Sequence, residues 1–242
     1  MNISSNLLIS DLVAQNYKTA TVFKKYKIDF CCNGNKSILE ACSKRNVKVD
    51  DVLSELEQAV LEIDQNINFN VWELDLLADY IEKTHHRYVK SKINEITPFL
   101  KKVVKVHSVH NPELIEIEAL FLQSAEDLLA HLQKEEMVLF PHIRTMVEAN
   151  LYNHPLARPH FGTISNPISM MKSEHQNEGD RFEKISNLTN NYTPPEHACN
   201  TYKVTFALLK DFEDDLHKHV HLENNILFPK AVILEQKLLN RE

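Results

Sequence analysis

The segment "HLQKEEMVLFP" begins at His131 and "HVHLENNILFP" at His219; both reduce to H-x-x-x-E-[EN]-x-[VI]-L-F-P, 219 − 131 = 88 positions apart. Each repeat sets a histidine and a glutamate one helical turn apart inside an apolar stretch. Burying one unpaired charge costs several kcal/mol. A fold that buries both stretches must therefore supply something that offsets both pairs.

In a bundle helix the buried positions recur alternately three and four residues apart. One such series reads Leu114, Ile117, Phe121, Ser124, Leu128, His131, Glu135, Val138, His142, and another Tyr202, Thr205, Leu209, Phe212, Leu216, His219, Glu223, Ile226. In both, His and Glu stand where Leu would be expected. A third series, Ile168, Met171, His175, Glu178, Phe182, Ile185, again carries a mid-stripe histidine. Three explanations compete: local His–Glu hydrogen bonds or a misphased, solvated stripe; a metal-free polar network; and a metal site. A single pair would favour the first. Two matching pairs, with histidines mid-stripe on the other helices, favour the metal, since a binuclear bundle site takes inward ligands from all four helices.

The rest of the chain is consistent with helices. Only three glycines occur in 242 residues, with 43% apolar and 25% charged side chains. Residues 1–66 read as a small helical domain and 67–242 as a four-helix bundle, an all-α fold. In the first, "SDLVAQNYKTATVFKKYKI" starts a helix capped by Ser10 or Asp11, and Asn33-Gly34 is a turn. "SILEACSKRN" and "DDVLSELEQAVLEI" give two more helices, and "DQNINFN" a polar connector. In the second, helices are expected from about Trp72 to past residue 95, with Pro98 breaking or kinking the chain, and from Pro112 to about Ala149. The others run from about Pro167 to Asn187 and from Pro194-Pro195 nearly to the end. The stretch 148–166 is a long loop.

No window approaches a membrane span and no signal peptide is evident. A net charge of −7 without a basic cluster argues against nucleic acid. The four cysteines, Cys31, Cys32, Cys42 and Cys199, form no disulfide framework, which points to a reducing cytoplasm.

Imidazole and carboxylate without cysteine suit iron or manganese better than structural zinc, and redox-active iron is the expected metal. Two glutamates could bridge two ions, with two histidines for each. Open positions would remain for water, dioxygen or nitric oxide. On the first bundle helix the candidates are His85 and His86. Phasing on Leu74, Ala78 and Ile81 mildly prefers His85, and only one of the two is expected to face the core. His107 could reach the site from a loop; His142, His217 and His221 read as supporting or surface residues.

"YKIDFCCNG", "HLQKEEMVLFP", "SEHQNEG" and "HVHLENNILFP", in this order, resemble the hemerythrin-like di-iron proteins for repair of iron centres, the ScdA/YtfE type. The resemblance covers nearly the whole chain. It implies a hemerythrin-like bundle with an oxo- and carboxylate-bridged pair of non-haem iron ions. It also implies repair of iron-sulfur clusters damaged by nitrosative or oxidative stress, by supply of iron, with damaged iron-sulfur proteins as partners. Its ligand pattern falls on His86, His131, Glu135, His175, His219 and Glu223, with the glutamates as bridges; the choice of His86 comes from the resemblance. His217 and His221 depart from the pattern as extra histidines.

A vicinal pair, Cys31-Cys32, at a helix end could take up iron or nitric oxide transiently or engage a client. Cys42 and Cys199 read as packing residues. An oxygen or nitric-oxide carrier of ordinary hemerythrin type would not need the thiols. An enzyme that reduces nitric oxide at the di-iron site is the other alternative, and turnover with a defined electron donor would support it. A homodimer is compatible with all of these.

Overall fold

The computed structural model describes residues 3–61 and 67–240. The first part of the expected connector and the end of the helix before it lie outside the described residues, as does the 66/67 division itself. Within the described residues the chain is helical, without strands. The small amino-terminal unit contains α1 (Ile9–Gln15), α2 (Thr19–Lys25), α3 (Ile38–Arg45) and α4 (Val49–Leu61). The segment expected as one helix from Ser10 is divided at Asn16, which turns to extended backbone and whose side chain accepts from the Lys18 amide at 3.0 Å. Ser37 and Glu40 form a reciprocal cap that starts α3.

Four long helices follow. Helix α5 is built of Leu74–Tyr80, Ile81–His86 and Arg87–His107, and α6 of Glu113–Lys134, Glu135–Leu139 and Phe140–Tyr152. Helix α7 is Ser165–Leu188, and α8 comprises Asn200–Leu222, Glu223–Leu227 and Phe228–Leu239. The expected break at Pro98 does not occur: Ile96, Leu100 and Val103 stay in the core on both sides of it. Tertiary burial there outweighs a local cost of about 3 kcal/mol.

The middle pieces of α5, α6 and α8 are wound as π-helix. Each π turn takes up one residue more than an α turn and so shifts the buried stripe by one position. On α6 the series therefore leaves Val138 and His142 half-buried and continues through the buried Leu139 and Ile143.

Two apolar clusters fill the bundle. One joins Val89–Val103, Leu114–Leu132, Phe182–Ile185 and Tyr202–Val220 to the amino-terminal unit's Ile9, Phe23, Ile38 and Leu56. The other joins Leu74–Ile81, Leu139–Ala149, Ile164–Met171 and Leu222–Leu238. On every long helix the His/Glu positions fall between the two clusters, so the polar residues form one layer across the bundle. Among the described residues, the buried apolar side chains of the small unit belong to the first cluster, which they share with the bundle.

Candidate metal centre

The polar layer brings six side chains together. His86, Glu135, His219 and Glu223 form one group whose potential ligand atoms all lie within 4.8 Å of one another, and His131, Glu135, His175 and Glu223 form a second. Both groups contain Glu135 and Glu223. All six residues are buried, with exposures from 0% to 3%. Glu135 Oε2 lies 3.4 Å from both His86 Nε2 and His131 Nε2, and Glu223 lies 3.2 Å from His175 Nε2 and 3.1 Å from His219 Nε2.

A second tier orients the rings. His86 Nδ1 donates to Glu136 at 2.8 Å, and His131 Nδ1 to Glu174 at 2.8 Å. A carboxylate only accepts, so each of these Nδ1 atoms carries the proton. His175 Nδ1 is 3.0 Å from Asn224 Oδ1. Three rings are thereby turned with Nε2 toward the centre, as metal-binding imidazoles are held. Lys90 and Lys134 in turn hold Glu136 and Glu174. Sequence reasoning did not single out Glu136, Glu174 or Asn224. Their signal was adjacency, since each directly neighbours a candidate ligand in the chain.

Electrostatics puts charge here against burial. Burial pulls His131 down, but Glu135 and Glu174 outweigh it and raise its pKa to about 10. Burial raises Glu223, yet His219 and His175 hold it well below the ordinary carboxylate range. The π turns explain how both histidines of "THH" are buried, at 1% and 0% exposure, against the expectation that only one would be. His85 turns Nδ1 to Asp215 at 2.9 Å and stacks on the His219 ring at 5.7 Å, outside both four-residue groups.

The remaining histidines lie elsewhere. His107 sits at the end of α5, 3.2 Å from Cys199 Sγ, and does not reach the layer. Cys199 is exposed, not packed as expected, whereas Cys42 is buried. His142 neighbours Glu235, His217 packs on Phe30, and buried His221 meets Asn225 at 2.9 Å.

The cysteine pair lies against this layer despite its distance in sequence. Asp29 accepts from the amides of Cys31 and Cys32 at 3.0 and 2.9 Å and so closes the turn that presents them. Gly34 completes that turn, since a Cβ there would stand 2.6 Å from the Phe30 carbonyl. Cys31 Sγ and Cys32 Sγ are 3.8 Å apart, and Cys32 Sγ is 3.6 Å from the His175 carbonyl. Asn224, whose Oδ1 meets His175, donates through Nδ2 to the Cys31 carbonyl at 3.3 Å. One amide side chain thus spans the candidate ligand and the thiol turn. A Cys31–Cys32–Asp29 group is close enough to hold an ion. Asp29 Oδ1, however, is already occupied by both amides and by the Cys31 thiol.

Whether a metal fits the layer is answered by its unsatisfied atoms. Both carboxylate oxygens of Glu135 and of Glu223, and Nε2 of His86 and His219, are buried with no hydrogen-bond partner. Such atoms are costly to leave bare. Clustered, and aimed at shared points, they fit cations. The hemerythrin HHE cation-binding domain family matches residues 77–231. The chain belongs to the hemerythrin family.

Residues 6–60 match the ScdA_N family, described as a domain of unknown function (DUF542), so the two families together span most of the chain. Over 94% of this chain and 99% of its own length, the iron-sulfur cluster repair protein ScdA of Staphylococcus haemolyticus is 30% identical. The iron-sulfur cluster repair protein YtfE of Yersinia pseudotuberculosis is 31% identical over 87% of this chain and 90% of its own. The chain is therefore a hemerythrin-like protein of the ScdA/YtfE type. No helix among the described residues is long and apolar enough to cross a membrane.

Proposed function

We propose that the polar layer holds two non-haem iron ions bridged by Glu135 and Glu223. We propose further that the protein draws on this iron to repair iron-sulfur clusters damaged by nitrosative or oxidative stress. The observation that carries the reading is that both carboxylates are shared by two four-residue groups. His86 and His219 would serve one ion, and His131 and His175 the other. Relatives alike over nearly their full length bear the name iron-sulfur cluster repair protein.

Iron bound there would supply redox chemistry and open positions for nitric oxide or dioxygen. The chain's own residues position and limit it. Glu136, Glu174 and Asn224 fix the imidazoles. Two carboxylates would leave the charge of two ferrous ions incompletely neutralised, which would suit a metal that is to be given up. Cys32, half-buried beside α7, stands where a damaged iron-sulfur protein could meet the centre. The compartment for this work would be the reducing cytoplasm.

The test is metal analysis with Mössbauer spectroscopy on protein purified anaerobically without added metal, followed by reactivation of a nitric-oxide-damaged aconitase-like enzyme. Two coupled irons per chain and recovery of activity are expected. Iron-free protein, or iron-loaded protein that restores nothing, would refute the reading.

A further inference from the structure

A cavity of about 250 Å³ lies between the amino-terminal unit, α7 and α8, with the thiol turn in its wall. Five cationic side chains line it against four carboxylates, 5 − 4 = +1, on a chain whose net charge is −7. The four carboxylates are already engaged. Asp29 accepts from the Cys31 and Cys32 amides, and Asp180 from Gln176 Nε2 at 2.8 Å. Glu183 pairs with Arg45 at 3.1 Å and Glu213 with Lys24 at 3.2 Å. Three cations are left without a carboxylate. Lys36 donates to the uncharged Asn33 amide oxygen at 3.1 Å, and the Lys27 and Lys44 ammonium groups make no hydrogen bond or ion pair among the described residues. The field inside the cavity therefore favours an anion.

Two further observations point to a ligand. His217 lines the same wall, and its Nδ1 is buried with no hydrogen-bond partner, a deficit that a polar ligand would remove. The space beside the Cys32 sulfur is also kept open. Gly179 stands there on α7, and a Cβ built on it would meet Cys32 Sγ first, at 3.7 Å. Glycine in a helix interior is destabilising, and room beside the sulfur is its return. The two sulfurs are not equivalent. Cys31 is buried with its Sγ at 3.3 Å from Asp29, while Cys32 is half-buried in the cavity wall. Pockets for drug-sized ligands hold roughly 300–1,000 Å³, so the occupant here is small.

We propose that this cavity binds a low-molecular-weight thiol carrying carboxylate groups, and that Cys32 exchanges with the disulfide form of that thiol. The lysines hold the carboxylates and so set a sulfur of the bound disulfide against Cys32 Sγ. The Cys32 thiolate attacks that sulfur; the bond from Cys32 to it forms, the original sulfur–sulfur bond breaks, and the other half leaves as a thiolate that takes up the proton Cys32 gave up. Cys32 is oxidised to a mixed disulfide and one half of the small disulfide is reduced. A chain capped in this way is shielded from irreversible oxidation at Cys32, and a second thiol removes the cap by the reverse exchange.

The experiment measures mixed-disulfide formation on the full chain, purified anaerobically, by mass spectrometry of its cysteine peptides. The probes are glutathione disulfide, which is anionic, bis(2-hydroxyethyl) disulfide, which is neutral, and cystamine, which is cationic. Exposed Cys199 lies outside the cavity and normalises each probe's intrinsic reactivity. Relative to Cys199, Cys32 is expected to favour the anionic probe over the neutral one by roughly tenfold, with a rate that saturates. The double change Lys27→Glu, Lys44→Glu, at two exposed positions, should abolish that preference and leave Cys199 unaffected. The same probe order at both cysteines, an unchanged preference in the double variant, or no adduct at Cys32 would overturn the proposal. Should the double variant fail to fold, salt decides on wild type: about 1 M salt should erase the preference, and its persistence would overturn the proposal. S-methylglutathione, which cannot exchange, should compete; equal competition by inorganic phosphate would reduce the cavity to a general anion site and overturn the thiol assignment. No iron takes part in the exchange, so an iron-free chain would sink the reading of the centre and leave this result standing.

Discussion

The Nε2 atoms of His131 and His175 face each other at 3.1 Å, while the Nδ1 atoms of the same rings are taken up by Glu174 and Asn224. Two imidazoles that both donate through Nδ1 can meet Nε2 to Nε2 only if one carries a second proton. That ring is His131, which burial would deprotonate but which Glu135 and Glu174 hold charged up to about pH 10. A metal ion binding at Nε2 must displace this proton.

Iron uptake at neutral pH is therefore predicted to release protons, with affinity rising as pH rises toward 10 and levelling above it. The sign follows because the free form is protonated below its pKa and the metal-bound form is not. Calorimetry in buffers of different ionisation heat measures the release. Equal affinity at about pH 6 and about pH 8, with no protons released, would contradict the assignment.

Glu135 and Glu223, the proposed bridges, give a second prediction. Glu135→Leu or Glu223→Leu should lose at least one iron while circular dichroism stays helical. Both residues are fully buried in a layer between two apolar clusters, where Leu is sterically at home. Replacing a buried ionic group by an apolar one of similar size is often neutral or stabilising for the fold. Retention of two irons in either variant would exclude the bridging role.

How much of this was legible depended on the helix type. On α7, an unbroken α-helix, the three–four series from Ile168 to Ile185 is buried throughout. On α6 the same series runs true to Glu135 and then slips by one, because a π turn begins at that residue. On α5 the slip falls at "THH", which is why periodicity leaned to His85 while the structure places His86 in the four-residue group. A period of 3.6 cannot anticipate a local 4.4-like turn. The contact between the cysteine turn and α7 was likewise illegible, because nothing local in "DFCCNGNK" encodes which distant helix it meets.

A third prediction follows from that slip. His86→Ala should lower iron content, since its Nε2 is buried, unpartnered and 3.4 Å from Glu135. His85→Ala should leave iron in place and instead free Asp215, its partner at 2.9 Å. Iron per chain after anaerobic reconstitution separates them. The reverse pattern would show that the first helix is misassigned.

The last prediction concerns the thiols. Cys31 and Cys32 lie outside both His/Glu groups, yet Asn224 connects the Cys31 carbonyl to the His175 ring. The hydrogen bond with Cys32, burial and the Asp29 carboxylate push the Cys31 thiol well above its ordinary range, and half-buried Cys32 is the more accessible sulfur. The double change Cys31→Ser, Cys32→Ser keeps the backbone carbonyl that Asn224 uses, so the iron and its Mössbauer spectrum should persist. Reactivation of a nitric-oxide-damaged aconitase-like enzyme should nevertheless fall, because the face proposed to meet a client has lost its soft nucleophile. Asn224→Leu makes the opposite cut. It spares both thiols but leaves His175 Nδ1 without its partner, at roughly 1–3 kcal/mol for a buried group, and leaves the Cys31 carbonyl with Asn225 Nδ2 alone, at 3.4 Å. Iron affinity should then drop by about tenfold or more, as when the support of a metal-bound histidine is removed. If the thiol variant loses iron, the cysteines belong to the resident site; if it restores the damaged enzyme as well as wild type does, they are packing residues. Only retained iron with lost reactivation agrees with a thiol face that acts beside the centre and not within it.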